Sequence, residues 1–400
     1  MINNINIRSI TFSIDILKIH DISYQNKISK PINNITNFLK DKYLIRTTRI
    51  NIIKISPEQI KDENLLIEKI KLLSKFCENN NLRWFNLCFD LTNANKKQLI
   101  LFYNLTVKII KKFQNIFINW IVANDRNVNP LSSFYASKCI ISISKLSSNG
   151  YDNFRFGVNL NPSSGTPFFP FSYSNKDFSF SIALEITEFI HSIIKKNSNR
   201  EIIKKECVRS LNNEINSLNQ EIKKIESDSF NFEGFDCSLA PFPSTNISVT
   251  EIYKSLNIDE FGSHGSIYIT KFLTSIIKNL DKKLNFCGFN GVMFSLLEDH
   301  DMCNSNNKKL ISINQLLVNS CVCGCGLDMI PIPGDTLIEE ISSIILDTAT
   351  ISIELKKPLG VRLLPIPNKQ GNDFTEFDMD FITNTRILPL KNLSINNAFF

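Results

Sequence analysis

Three thiols alternate at Cys321, Cys323 and Cys325 in the segment Cys-Val-Cys-Gly-Cys-Gly, and a carboxylate, Asp328, follows at once. Gly324 and Gly326 lack the Cβ that would stop the backbone from bending tightly there. A thiol acts as a nucleophile only as its thiolate, which needs a cation or a helix N-terminus beside it. The segment therefore has two readings: a reactive loop, or a tight turn of inert thiols. Structural zinc sites pair Cys-x₂₋₄-Cys clusters, and no second close pair of cysteines exists in the chain, so no metal is expected. Cys321 and Cys323 are spaced to leave an extended segment on the same side, which allows a redox pair.

Four other groups carry chemistry. Glu298-Asp299-His300-Asp301 follows an apolar run; three acids and an imidazole there suit a divalent ion or proton transfer, with Glu298 and Asp299 as the main candidates, or simply keep a loop solvated. Phe261-Gly262-Ser263-His264-Gly265-Ser266 precedes a helical pattern. Gly262, Ser263, Gly265 and Ser266 would present backbone N–H groups to an anion at the helix start. His264 is a candidate acid–base residue, or a hydrogen-bonded turn residue. In Asn161 to Pro170, Thr166 and Pro167 precede Phe168 and Phe169, the makings of an apolar pocket wall with a few polar groups, or of a plain anchored loop. Asp236 and Asp335 complete the candidate ligand-binding set, and Thr336-x-x-Glu339 fits a capping box at a helix start.

These residues sit in a chain of 400 with net charge +6, 43% hydrophobic and 21% charged. Such a composition suits a large core. The charge is mild and no basic stripe interleaved with aromatics occurs, which argues against nucleic acid as a partner. No apolar run reaches the roughly 18–20 residues that span a bilayer, and no leader pattern is evident, so a cytoplasmic protein with reduced thiols is expected. Matches to glycosylation acceptors at Asn104, Asn246 and 392–394 are chance products of an asparagine-rich composition.

Period-two and helical patterns alternate along the whole chain. Strands are expected at 5–13, 83–91, 115–123, 153–160, 233–240, 286–296 and 359–366. Helices are expected at 64–78, 96–114, 131–147, 184–196, 200–226, 248–256, 265–280, 312–320 and 336–350. No linker divides the chain, so one α/β domain over 1–400 is expected.

Ile7-Arg8-Ser9-Ile10-Thr11, the Thr-Pro-Phe-Phe-Pro core of 161–170, Asp236-Cys237-Ser238-Leu239-Ala240-Pro241, Phe261-Gly262-Ser263, the Cys-Val-Cys-Gly-Cys-Gly-Leu-Asp-Met segment and the Ile-Pro-Gly-Asp turn occur in this order. That pattern resembles a family of uncharacterised proteins classed as pyruvate-formate-lyase-like, over about 5–390. The resemblance implies the ten-stranded α/β barrel of glycyl radical enzymes and ribonucleotide reductases, with a central finger loop bearing a cysteine. By position, 321–326 is similar to that finger, with Cys323 first and Cys321 second as its tip. The radical-bearing C-terminal pattern Arg-Val-x-Gly-Tyr is absent around Gly371, so a glycyl radical is not expected. The resulting expectation is an enzyme acting on a small anionic metabolite through a finger-loop cysteine. The alternative is a metabolite-binding regulatory protein on the same barrel. Cofactors are not specified by the residues; a homodimer is compatible with them.

Overall fold

The computed structural model describes residues 5–225, 230–242 and 247–390. Asn246 and 392–394, two of the acceptor-like sites, lie outside the described residues. Nine strands form one sheet: β1 (Asn6–Ile14), β2 (Ile45–Ile52), β3 (Phe85–Asp90), β4 (Ile116–Ala123), β5 (Phe156–Leu160), β6 (Ser179–Glu185), β7 (Asn231–Asp236), β8 (Gly326–Pro333) and β9 (Leu359–Ile366). Their order is β7-β6-β1-β2-β3-β4-β5-β9-β8. Strands β1 to β5 are mutually parallel. β6 runs antiparallel to β1 and β9 antiparallel to β5, with β7 and β8 parallel to those two neighbours. Two parallel sets thus run in opposite directions, and parallel neighbours need crossover connections, here mostly helical.

The helices are α1 (Ile22–Lys40), α2 (Glu63–Asn79), α3 (Lys96–Lys112), α4 (Pro130–Ser144), α5 (Thr187–Ile194), α6 (Arg200–Ile225), α7 (Glu251–Ser255), α8 (Ser266–Lys278), α9 (His300–Asn307), α10 (Ile313–Ser320) and α11 (Ile338–Glu354). They cover the apolar outer face of the sheet. On β4, Trp120 is fully buried and its indole N–H reaches Thr106 of α3 at 3.0 Å, while Phe89 of β3 packs edge-on against Phe102 of α3.

Several expectations need correction. The sheet has nine hydrogen-bonded strands, not ten. Residues 286–296 form no regular strand, because the Asp236 carboxylate takes the N–H groups of Phe289 and Asn290 at 2.8 and 3.3 Å, and Gly288 and Asn290 adopt φ of 77° and 50°. The chain kinks around that carboxylate. It still meets β7 through the bridge Phe235–Phe286, and β8 through Ser295–Asp328. The helix expected at 184–196 starts only at Thr187, since Ser-Phe-Ser-Ile-Ala-Leu-Glu pairs with β1 as β6. β2, β8, α1 and α9 are not among the expected elements. The capping contact of α11 falls one residue later than Thr336/Glu339: the Glu340 carboxylate accepts the Leu337 N–H at 2.9 Å, and Thr336 Oγ1 donates to the Pro333 carbonyl.

The inner face of the sheet is polar and buried. Asn51, Asn86, Asn119 and Asn159 stand on β2, β3, β4 and β5 and are at most 1% exposed. They hold the loop 163–174. Asn119 Nδ2 donates to the carbonyls of Pro170 and Ser172 at 2.6 and 2.9 Å, Asn86 Nδ2 to Ser172 at 3.0 Å, and Asn159 Nδ2 to Phe171 at 3.0 Å. Thr11 of β1 donates to the Pro167 carbonyl at 3.1 Å. Gly157 and Gly360, on β5 and β9, make room: a Cβ on either would stand within 2.8 Å of Phe171. One loop therefore touches strands along most of the sheet, which curls around it.

Candidate functional site

A cavity of about 650 Å³ opens inside this curl. Because β1 to β4 are parallel, its lining residues Arg8, Arg46, Trp84 and Phe117 gather at the starts of those strands. The loop 163–174 enters from the other end and supplies Phe168, Phe169 and Phe171 as the floor, joined by Met293. Exposed Asp378 and Asp380 border the mouth from the C-terminal segment.

Arg8 reaches the cavity through a register shift in the β1–β6 pairing between Ile7 and Ser9. Bulges of this kind turn a side chain away from the regular alternation. Arg8 donates to the Pro241 carbonyl at 2.9 Å. Arg49 is buried on β2, and its guanidinium donates to Ser9 Oγ at 2.9 Å and to the Pro167 carbonyl at 3.0 Å. Among the described residues neither Arg8 nor Arg49 forms an ion pair. Burial is the main influence working against the Arg49 charge, Arg8 adds repulsion, and Glu298 opposes both. A guanidinium keeps its proton regardless, so this is a buried positive charge that an anion would relieve.

Of the other lining cations, Arg83 is exposed, while Arg46 and Arg362 are paired. Arg46 pairs with Glu185 through both nitrogens of its fork, with Nη2 at 2.6 Å from Oε1. Arg362 makes a bidentate pair with Asp328, at 2.6 and 2.9 Å, and lies 3.5 Å from Glu298. Glu298 also accepts from Ser295 Oγ and is half-buried at the cavity wall.

Of the residues expected from sequence, the cavity collects Glu298 and Asp328; Pro167 is outside the lining, its carbonyl accepting from Arg49. The cysteines stand behind its floor. Cys325 packs with Phe168, Phe171 and Met293 and takes the Phe294 N–H at 3.3 Å. Cys323 is buried in the main core, and its carbonyl accepts from Lys357. A hydrogen bond from Cys325 draws Cys323 below the usual thiol range; burial opposes this and the Lys357 charge reinforces it. That proton, burial and nearby Asp328 push Cys325 up. Cys321 is exposed. The pair in contact is therefore Cys323 with Cys325, in place of the expected Cys321 with Cys323. Gly324 is required by close approach, since its Cβ would meet the Gly291 backbone at 3.1 Å.

The remaining candidates lie apart from the cavity lining. Asp299 is buried as the cap of α9 and ties down Ser248, Val249 and Thr250. Asp236 holds the 287–291 kink. His264 and Gly265 are exposed at the turn before α8. In that turn the Gly262 N–H is taken by Ser266 Oγ at 3.1 Å, Ser266 donates to the Ser263 carbonyl, and a Cβ on Gly262 would strike the Leu310 carbonyl at 2.4 Å. Thr166 is buried against Ser163, and Asp335 is exposed, accepting from Gln370. Among the described residues no group of three or more His, Cys, Asp or Glu is placed to hold a metal ion, and no helix is long and apolar enough to cross a membrane.

Sequence reasoning missed the arginines and the asparagine row. Their signal was present: Arg8, Arg49 and Arg362 each interrupt an apolar strand, where an unpaired charge is costly.

A family model described as "Uncharacterised ACR (DUF711)" matches residues 1–380. Curated relatives are named "UPF0210 protein". One from Pelotomaculum thermopropionicum is 34% identical over 161 residues, 40% of this chain and 35% of the relative. One from Methanosarcina mazei is 32% identical over the same length and shares. One from Ligilactobacillus salivarius is 31% identical over 176 residues, 43% of this chain and 39% of the relative. The aligned stretches thus span between a third and two fifths of those relatives' lengths.

Proposed function

This chain belongs to the DUF711 family of uncharacterised proteins, and on that premise we propose that its cavity binds an anionic small molecule and moves a proton on it. Arg8 and Arg49 hold the anionic group. Glu298 is the proton-transferring residue, because it faces the cavity and is half-buried between Ser295 and the guanidinium of Arg362. The Asp328–Arg362 pair positions it. The observation that carries this reading is that Arg8 and Arg49, lining guanidinia set back from solvent, have no ion-pair partner among the described residues. Buried charge is retained where something compensates it.

The proposal includes the barrel. The segment 285–295, bridged to both sheet edges, acts as an irregular tenth element closing a structure like that of glycyl radical enzymes, and 1–400 acts as one domain. A second reading keeps the thiol chemistry. Lys357 and Cys325 both draw Cys323 toward its thiolate, and a shift of Phe168 or Met293 would open the cavity to Cys325, which hydrogen-bonds that thiolate. A regulatory binding role uses the same arginines without turnover.

The test is to unfold freshly purified protein and identify released small molecules by mass spectrometry. A stoichiometric carboxylate or phosphate compound is the expected result. A neutral or cationic compound in the cavity would overturn the anion reading.

A further inference from the structure

The lining arginines share a second feature. Each lies over an aromatic ring: Arg49 over Phe169 at 4.3 Å, Arg83 over Trp84 at 4.1 Å, Arg362 over Phe154 at 5.3 Å, and both Arg46 and Arg8 over Phe242 at 4.1 and 4.8 Å. The rings continue as a ladder along one wall. Trp84 meets Phe117 edge-on at 5.5 Å, Phe117 meets Phe154 at 5.2 Å, and Phe154 meets Phe381 at 5.3 Å. Phe169 joins this ladder through Phe117 at 5.4 Å. Ring edges carry the positive side of the aromatic quadrupole and ring faces the negative side. A wall of rings meeting edge-on or tilted, with guanidinia over their faces, therefore offers apolar surface with positive charge set into it.

Resting on the anion reading above, we propose that the ligand class is a planar aromatic acid: a conjugated ring system bearing a carboxylate. The cavity volume lies within the usual 300–1,000 Å³ of small-molecule sites, and at about 650 Å³ it leaves a two- or three-carbon acid mostly in contact with nothing. A conjugated ring fills that space between the Trp84–Phe117–Phe154 ladder and the floor rings. Its carboxylate reaches Arg49 and Arg8, the two lining cations that are set back from solvent and form no ion pair among the described residues; Arg83, also without one, is exposed. The arrangement discriminates by ring type as well as charge, because a saturated ring of equal size presents no π-face to a guanidinium or to a ring edge.

The experiment is isothermal titration of the full chain with three probes: indole-3-carboxylate, cyclohexanecarboxylate and indole-3-carboxamide. The carboxylate of the planar ring is expected to bind about tenfold tighter or more than either of the others, a difference of about 1.4 kcal/mol. Equal binding of the two carboxylates overturns the aromatic inference and leaves the anion reading standing. Equal binding of indole-3-carboxylate and indole-3-carboxamide overturns the anion reading itself. Absence of binding by all three in the millimolar range overturns both. Phe169→Leu serves as the control for the wall: it is expected to narrow the gap between the two carboxylates while retaining the preference for carboxylate over carboxamide.

Discussion

Arg49 and Arg362 are both buried guanidinia facing one cavity, yet they are held in opposite ways. Arg362 has a bidentate carboxylate, a second carboxylate at 3.5 Å and the Phe154 carbonyl. Arg49 has two hydroxyls and a carbonyl. The first arrangement closes its own charge balance and acts as a structural joint between β8 and β9. The second leaves a net positive charge within the fold, next to Arg8. Pairing state separates the arginine that builds the cavity from the arginines that await something in it.

The largest effect expected from this contrast is on stability. Asp328→Ala should destabilise the protein by about 3–5 kcal/mol in chemical denaturation, because it strands the Arg362 charge in the interior. The double change Asp328→Leu with Arg362→Met should recover most of that loss, since replacing a buried pair by apolar groups is often neutral. A single-variant loss below about 1 kcal/mol, within the range of exposed ion pairs, would break the distinction. A smaller effect concerns the thiols behind the floor. Native protein treated with iodoacetamide should be modified first at exposed Cys321, with Cys323 and Cys325 protected until unfolding, because reaction needs access as well as a thiolate. Native labelling of Cys323 as fast as Cys321 would instead favour the thiol reading of the site.

Much of the fold was legible because periodicity reports burial, and the outer face of every strand packs on helices. Ile10, Phe12 and Ile14, or Ile118, Trp120 and Val122, are spaced at two and are fully buried. What periodicity cannot distinguish is a polar face turned to water from one turned to a buried loop. Ser9, Thr11 and Ser13 on β1 and the asparagines of β2 to β5 are the polar positions of that alternation, and all are buried. The loop partners of Thr11, Asn86 and Asn119 lie in 163–174, more than 40 residues away, and no local pattern links them. Of the Thr-Pro-Phe-Phe-Pro stretch, legible as a pocket wall or a plain anchored loop, Phe168 and Phe169 line the cavity, whereas Thr166 is buried against Ser163. The cysteine segment drew attention by residue type alone. Its structural role, a backbone contact between Gly291 and Gly324 under the floor, depends on a long-range approach that spacing does not reveal. Asp236 and Asp299 illustrate the same limit: carboxylates near strand ends are legible, but whether they face a cavity or cap a neighbouring segment depends on tertiary contacts.

The measurement that bears most directly on the account is a paired one on Arg49→Met: unfolding free energy without ligand, and affinity for indole-3-carboxylate by titration calorimetry. The variant removes an unmatched buried charge and keeps side-chain volume. Stability should therefore change by less than about 2 kcal/mol in either direction, the lost hydrogen bonds offsetting the relieved desolvation. Affinity should fall at least about tenfold, or about 1.4 kcal/mol. A variant that loses as much stability as Asp328→Ala while binding as tightly as the parent would contradict the claim that Arg49 is held for a ligand, and would make it one more joint in the fold.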